Sequence, residues 1–473
     1  MRLEVLSKDD IERVDEATMG VLERTGVAVY ERQSLDVLEE NGAPVDRASS
    51  RARLPERMVR EALERAPSRV KLAGRNGGSN VELGSGRTYF TNSLQGIKVL
   101  RLGSGEVRDS LLSDIPVFAR LVDALPNIDF YGVTVVAHDV PGEFHYLKEL
   151  AAAVENTTKH IEHGCHGTAM AKAYVRIAQV VSGGEEDLRK NPAVSSFGCP
   201  VSPLQFDRAN TEAMVECAKA GMPYDVLSMA MAGASSPMTL AGTLTMINAE
   251  VLAGTTICEL LNPGAPVIYG SVASIMDMRT GVMALGAPER PVLNGAVVQM
   301  AHSYGLPSLV GGMSTDGKLP GPQVLMEKAI TGLPPALAGS DVVFGAGLLD
   351  SATTYSPEQL VIDNEVAGAI ARVNTGMTAG AEDIAQELIE RVGPGGSFLG
   401  TRHTMEHMRK SVWMPELCDR NIYDNWLRLG AKGMREKAGE RAKEMLEGHS
   451  VKPLDKEQKK EIEGILGEAS KLR

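Results

Sequence analysis

Residues 307–321 read PSLVGGMSTDGKLPG, a short apolar run that breaks into glycines, two hydroxyls and one acid–base pair. Ser314, Thr315, Asp316 and Lys318 can donate or accept hydrogen bonds there, and Gly311 and Gly312 let backbone approach a ligand closely. Similar groups follow other apolar runs: Asn92 and Gln95, His138 and Asp139, Glu162 with His163 and His166, Cys199 and Ser202, Ser271 and Ser274, and Asp350 through Tyr355. Amides, imidazoles, carboxylates and hydroxyls in this mixture bind and orient a small polar molecule. They do not announce an activated nucleophile, because the chain has no G-x-S-x-G turn, P-loop or H-E-x-x-H helix. His138, His163 and His166 could form a metal site, but the spacing of His163 and His166 is ambiguous for ligation, so they are expected as hydrogen-bonded histidines at a pocket rim. Asp316 and Lys318 also read as a plain loop ion pair, worth ~0–1 kcal/mol if exposed. Met229 and Met231 alternate along a strand and suit either a core or a wall that meets a large flat cofactor.

These groups need elements to position them. Eight short apolar runs end in small polar residues: 88–92, 130–136, 159–164, 193–199, 224–233, 266–271, 307–312 and 341–347. Amphipathic stretches separate them, among them 113–125, 168–181, 208–221, 239–261 and 290–305. Eight strands alternating with helices predict a closed parallel (β/α)8 TIM barrel, in which each helix returns the chain and the ligand site lies at the C-terminal strand ends. A doubly wound sheet would carry fewer strands and a G-x-G-x-x-G after the first, and neither is present. The expected organisation is a helical N-terminal segment over 1–86, the barrel over 87–370 and a helical extension over 371–473. The extension reads as solvated helix or as a subunit contact. The run QGIKVLRLGSGEVRD after the first strand predicts a β-hairpin turning at Gly103 to Gly105.

A net charge of −12 from 49 Lys+Arg and 61 Asp+Glu argues against nucleic acid or an anionic membrane as partner. The first residues carry charge and no apolar signal core, so the expected location is the cytoplasm. The five cysteines are widely spaced and odd in number, as suits reduced thiols.

Five long runs carry a family likeness: LSMAMAGASSPMTLAGTL (227–244), FGAGLLDSATTYSPEQLVIDNE (344–365), GCPVSPL (198–204), NTTKHIEH (156–163) and YGLPSLVGGMSTDGKLPGPQ (304–323). Through them the chain resembles the trimethylamine methyltransferase superfamily, in its non-pyrrolysine, glycine betaine methyltransferase-like branch, along essentially its whole length. The resemblance implies that Ser314 stands where the trimethylamine enzymes hold pyrrolysine. Serine cannot activate a tertiary amine, whereas a quaternary ammonium already carries its charge, so a betaine-type substrate is implied. The resemblance further implies no tightly bound cofactor and, as methyl acceptor, the Co(I) corrinoid (cobalamin) of a separate cognate protein, with the enzyme contributing positioning and exclusion of water. Catalytic candidates are Ser314, Asp316 and His163. A trimethylammonium group is held by aromatic faces and carboxylates; Phe90, Phe197, Tyr269, Phe344 and Tyr355 with Glu162, Asp316 and Asp350 are the candidates, and Asn92, Gln95 and His138, beside His163, Arg279 and Lys318, could meet a substrate carboxylate. Proline betaine, carnitine and γ-butyrobetaine are alternative substrates. A betaine-binding protein without catalysis and a barrel lyase are alternative functions, and a homo-oligomer is expected.

Overall fold

The computed structural model describes residues 3–75, 79–92 and 95–472. Its centre is an eight-stranded parallel sheet: β1 Tyr89–Thr91, β2 Tyr131–Gly132, β3 Ile161–Glu162, β4 Val194–Gly198, β5 Tyr224–Ser228, β6 Val267–Ser271, β7 Ser308–Gly311 and β8 Val342–Phe344. Neighbours pair in sequence order, β8 pairs with β1, and a bridge between Thr91 and Phe130 joins β1 to β2. The sheet is therefore closed into a TIM barrel. Asn92 completes that last seam, donating from Nδ2 to the Gly132 carbonyl at 2.6 Å and accepting from the Gly132 amide at 3.2 Å.

Each strand is followed by a helix: α1 Asp114–Ala124, α2 Phe144–Asn156, α3 Thr168–Ser182, α4 Arg208–Ala220, α5 Leu240–Leu261, α6 Glu289–Ser303, α7 Pro322–Ala338 and α8 Pro357–Asn374. Local chemistry sets the bounds of α4: Asp207 accepts from the Asn210 amide at the start, and Gly221 adopts φ 68° at the end. Among the described residues α5 alone is long and apolar enough to cross a bilayer, and 78% of its most apolar window is buried inside the fold.

Strand residues alternate between two apolar clusters. Tyr89, Leu227, Ile268, Leu309, Val342 and Phe344 point inward, whereas Phe90, Val226, Tyr269, Val310 and Val343 face the helices. The inner cluster also takes in Val70, Leu72, Val81 and Leu83. These belong to an antiparallel hairpin, Val70–Leu72 with Val81–Leu83, that floors the N-terminal end of the barrel. The first 86 residues thus hold strands as well as the three expected helices, and one of those strands, Val27–Val29, pairs with Gln205–Phe206.

At the C-terminal end, Met231–Ala232 pairs with the hairpin Ser274–Asp277 and Val282–Ala284. A second hairpin, Lys98–Leu100 with Val107–Asp109, brackets the turn expected at Gly103 to Gly105. The final helices lie on the barrel and are not fully solvated: Ala438, Ala442 and Met445 are buried in Met434–Gly448, as are Ile462, Ile465 and Ala469 in Lys456–Ala469.

Candidate functional site at the barrel mouth

The mouth is built from the loops that leave β7 and β8. Beyond Gly311 the chain passes through Met313, held at φ 42°, to Ser314, whose amide donates to Thr331 Oγ1 of α7 at 2.9 Å. Ser314 is buried, and its hydroxyl donates to the Gly312 carbonyl at 2.9 Å. Lys328 of α7 fixes the two strand ends by donating to the carbonyls of Met313 and Gly345 at 2.9 and 3.0 Å and to Asp363 Oδ2 at 2.6 Å. Asp316 braces the mouth hairpin: it accepts from the amides of Leu285 and Gly286 at 2.8 and 3.1 Å and from Ser351 Oγ at 2.8 Å. The expected Asp316–Lys318 ion pair does not form. Lys318 donates instead to the Asp316 backbone carbonyl and pairs with Asp350 at 3.3 Å, because the Asp316 carboxylate is already committed to those three donors.

Inside the barrel stand Glu162, Phe197 and Phe344 of the expected site residues, with Asp225 of β5 beside them. Phe197 and Cys199 face inward and retain partial exposure, so the interior is open toward the mouth. Asp225 is 1% exposed and neither of its oxygens has a hydrogen-bond partner among the described residues. Burial, and then repulsion from Glu162, hold its carboxyl well above the usual carboxylate range. Gly270 of β6 makes room for it, since a Cβ there would overlap the Asp225 carboxylate.

The other candidates lie in the wall. His163 turns toward α2, where its Nε2 sits 3.1 Å from Glu149 Oε2, near enough for an ion pair but not aligned as a hydrogen bond. Glu149 also accepts from Gln95 Nε2 at 3.0 Å, the Ala137 amide at 2.6 Å and His145 at 2.8 Å. Burial alone would raise this carboxyl, but the hydrogen bond from His145 and the close approach of His163 outweigh it and bring Glu149 down to about 2. His138 meets the Ser110 carbonyl through Nδ1 at 3.2 Å, on the outer hairpin. Tyr269 donates to Asn248 of α5 at 2.8 Å, and Tyr355 donates to the Asn92 carbonyl while its ring meets Phe118 edge-on at 5.5 Å. Both rings therefore lie outside the inner face. Arg279 is exposed and folded back on Asp277.

Two charged residues at the interior carry little sequence signal. Asp225 is a lone acid within an apolar strand, and Arg290 is a lone cation at the start of α6. Arg290 is fully buried, and its Nη1 donates to the Leu285 carbonyl at 3.3 Å. Burial lowers its guanidinium to about 10, with Asp316 opposing the fall, so it stays cationic at neutral pH. Among the described residues no group of three His, Cys, Asp or Glu is arranged to hold a metal ion.

The family model described as trimethylamine methyltransferase (MTTB) matches residues 1–466. The chain belongs to that family. It is 36% identical over 448 residues to the trimethylamine methyltransferase MttB of Desulfitobacterium hafniense, covering 95% of this chain and 90% of that protein. Identity to the Methanosarcina barkeri MttB is likewise 36%, over 476 residues, with 100% and 96% covered. Similarity extends to a glycine betaine methyltransferase of Desulfitobacterium hafniense, 31% identical over 469 residues, covering 99% of this chain and 97% of the relative. The chain is a methyltransferase. Among solved structures, the Methanosarcina barkeri monomethylamine methyltransferase MtmB aligns at a TM-score of 0.47 and 10% identity over 98% of this chain and 94% of its own; the barrel itself rests on the strand ladder above.

Proposed function

We propose that this methyltransferase removes a methyl group from a quaternary amine of the glycine betaine class and delivers it to the corrinoid of a separate protein. The observation that carries the reading is Ser314: a small hydroxyl, engaged with the Gly312 carbonyl, occupies the position where the trimethylamine enzymes are expected to hold pyrrolysine. Nothing there can make a neutral amine into a leaving group. A quaternary nitrogen leaves unaided, keeping the C–N electron pair and departing as a neutral tertiary amine. Overall identity does not sort the substrate, since the trimethylamine enzymes score slightly higher than the betaine relative.

The chain's own residues supply binding and exclusion of water. Phe197 and Phe344 offer ring faces to a methylated cation, at ~0.5–2 kcal/mol per contact, and Glu162 and Asp225 place two carboxyl groups in the same interior, which a bound cation would draw toward their charged forms. The rim suits a flat apolar macrocycle: Met229, Met238, Met278 and Val282 are each about half exposed or more around the opening. A bound Co(I) corrinoid would supply the nucleophile. Asp316 and Lys328 keep the two loops that frame its approach in place. Exposed apolar side chains between Met377 and Leu429, Leu399 and Met414 among them, support a homo-oligomer.

The test is a panel of quaternary amines with chemically reduced cob(I)alamin, read by the cobalt spectrum. Betaine-dependent loss of the cob(I)alamin band is expected; no change with any member, or turnover of trimethylamine instead, would sink the reading. A protein that only binds betaine would raise its melting temperature with ligand and leave the spectrum alone.

A further inference from the structure

Arg290 presents an unusual edge. Its Nη1 is engaged with Leu285, while Nε and Nη2, the two nitrogens that together make the side-on fork of a guanidinium, have no partner among the described residues. Two parallel N–H groups at that spacing match the two oxygens of a carboxylate. Asp316, the nearest acid acting on it, cannot fill that role, since its oxygens accept from Leu285, Gly286 and Ser351.

The fork lies against the barrel's inner face. Gly311 shares the inward parity of Leu309 on β7, and a Cβ at Gly311 would overlap Nη2 of Arg290. Asn294, one turn along α6, donates to the Gly311 carbonyl and holds helix and strand together there. On the next strand Gly270 gives the same room to Asp225. Ser271 pairs with Val310, so Gly270 and Gly311 sit two residues apart in register on adjacent strands, about 8 Å between Cα atoms. An open cationic fork and an open carboxyl group thus share one inner face, without closing on each other.

A buried guanidinium and a buried carboxyl left without partners in a low-dielectric interior are costly unless something bridges them, and an ammonium group beside Asp225 would favour its charged form. The complementary ligand carries both charges in the opposite order, a carboxylate for Arg290 and a cation for Asp225. We propose that Arg290 anchors the carboxylate of a trimethylammonium carboxylate substrate through its Nε/Nη2 edge, with Asp225 facing the ammonium group from β5. The cation's identity rests on the methyl-transfer reading; the carboxylate and its anchor do not. This makes a carboxylate a requirement of the site, and Arg290 the residue that rejects choline-like amines.

Calorimetric titration of the full chain without corrinoid tests this, using glycine betaine, γ-butyrobetaine, choline and tetramethylammonium as probes. At least one of the two carboxylates binds, with a preference of ~10-fold or more over choline, as expected for a charged two-point contact. Arg290→Lys, which keeps the charge and loses the fork, weakens that probe by ~10-fold or more. Arg290→Met abolishes the preference and leaves tetramethylammonium unchanged. Asp225→Asn weakens every probe. Melting temperatures are recorded for each variant, and should Arg290→Met fail to fold, Arg290→Lys decides. Equal affinity for choline, a carboxylate preference that survives at Arg290→Lys, or no binding of either carboxylate overturns the anchor. The two readings fail separately: betaine held through Arg290 with an unchanged cobalt spectrum rejects methyl transfer alone, and cobalt turnover of choline at betaine-like rates rejects the anchor alone.

Discussion

Two sets of buried ionisable groups in this barrel are treated in opposite ways. Lys328 and Asp363 are both fully buried and fully occupied: the ammonium meets two carbonyls and the carboxylate, and Asp363 also accepts from the Gly347 amide at 2.7 Å and Gln359 at 2.7 Å. Arg290 and Asp225 are as deeply buried and leave four nitrogen and oxygen atoms without partners among the described residues. The first set ties the ends of β7 and β8 to α7 and α8 and has no capacity left for a ligand. The second makes a single tie within the fold, from Arg290 Nη1 to the Leu285 carbonyl. A buried polar group that the fold does not satisfy points to something the fold must bind.

The contrast can be broken by removing one member of each kind. Lys328→Met leaves Asp363 buried without its cation, and a loss of about 3–5 kcal/mol in urea unfolding is expected; a loss below 1 kcal/mol would mean that the knot is not structural. Glu149, another occupied carboxylate, should show its worth through pH. Its native value of about 2 lies below the ordinary 4.5, so its stabilisation is complete above pH 4.5 and fades as the pH falls from there toward 2. Glu149→Gln should therefore lose on the order of 3 kcal/mol at neutral pH, with the gap to wild type narrowing in that acidic window. A gap that stays constant with pH refutes the electrostatic origin.

Asp225 should behave with the opposite sign. Its native value is raised, so the folded chain keeps a proton that the unfolded chain releases above about pH 4. Wild-type stability should fall as the pH rises from there toward neutrality, and Asp225→Asn should abolish that slope and be as stable as wild type or more so at pH 7. An Asn variant less stable by over ~1 kcal/mol would show that Asp225 has a structural partner after all, and would merge the two sets.

Much of this architecture is legible in the order of the amino acids. All eight barrel strands fall within the expected runs, and α3, α4 and α5 start and stop within a residue of the pattern, because caps such as Asp207 and Gly221 are local chemistry. The site is harder to read. Strands of a closed parallel barrel are apolar on both faces, so alternation does not say which parity points inward. Tyr269 follows Ile268 and precedes Gly270, and that single step puts its ring against α5 while its neighbours face the interior. Asp225 hides for the same reason. Arg290 hides differently: it reaches the inner face only because Gly311 of β7 lacks a side chain, a coincidence between residues 21 positions apart that no local pattern contains.

The hairpin of Val70–Leu72 and Val81–Leu83 closes the far pole of the barrel with packed apolar side chains. A tube stoppered at one end opens at the other. If a second protein must cover that opening to collect its methyl group, the small molecule has to be inside beforehand, and the demethylated amine stays trapped until the visitor departs. Arrival and release then become a fixed queue, imposed by two three-residue strands on the side of the barrel away from any chemistry.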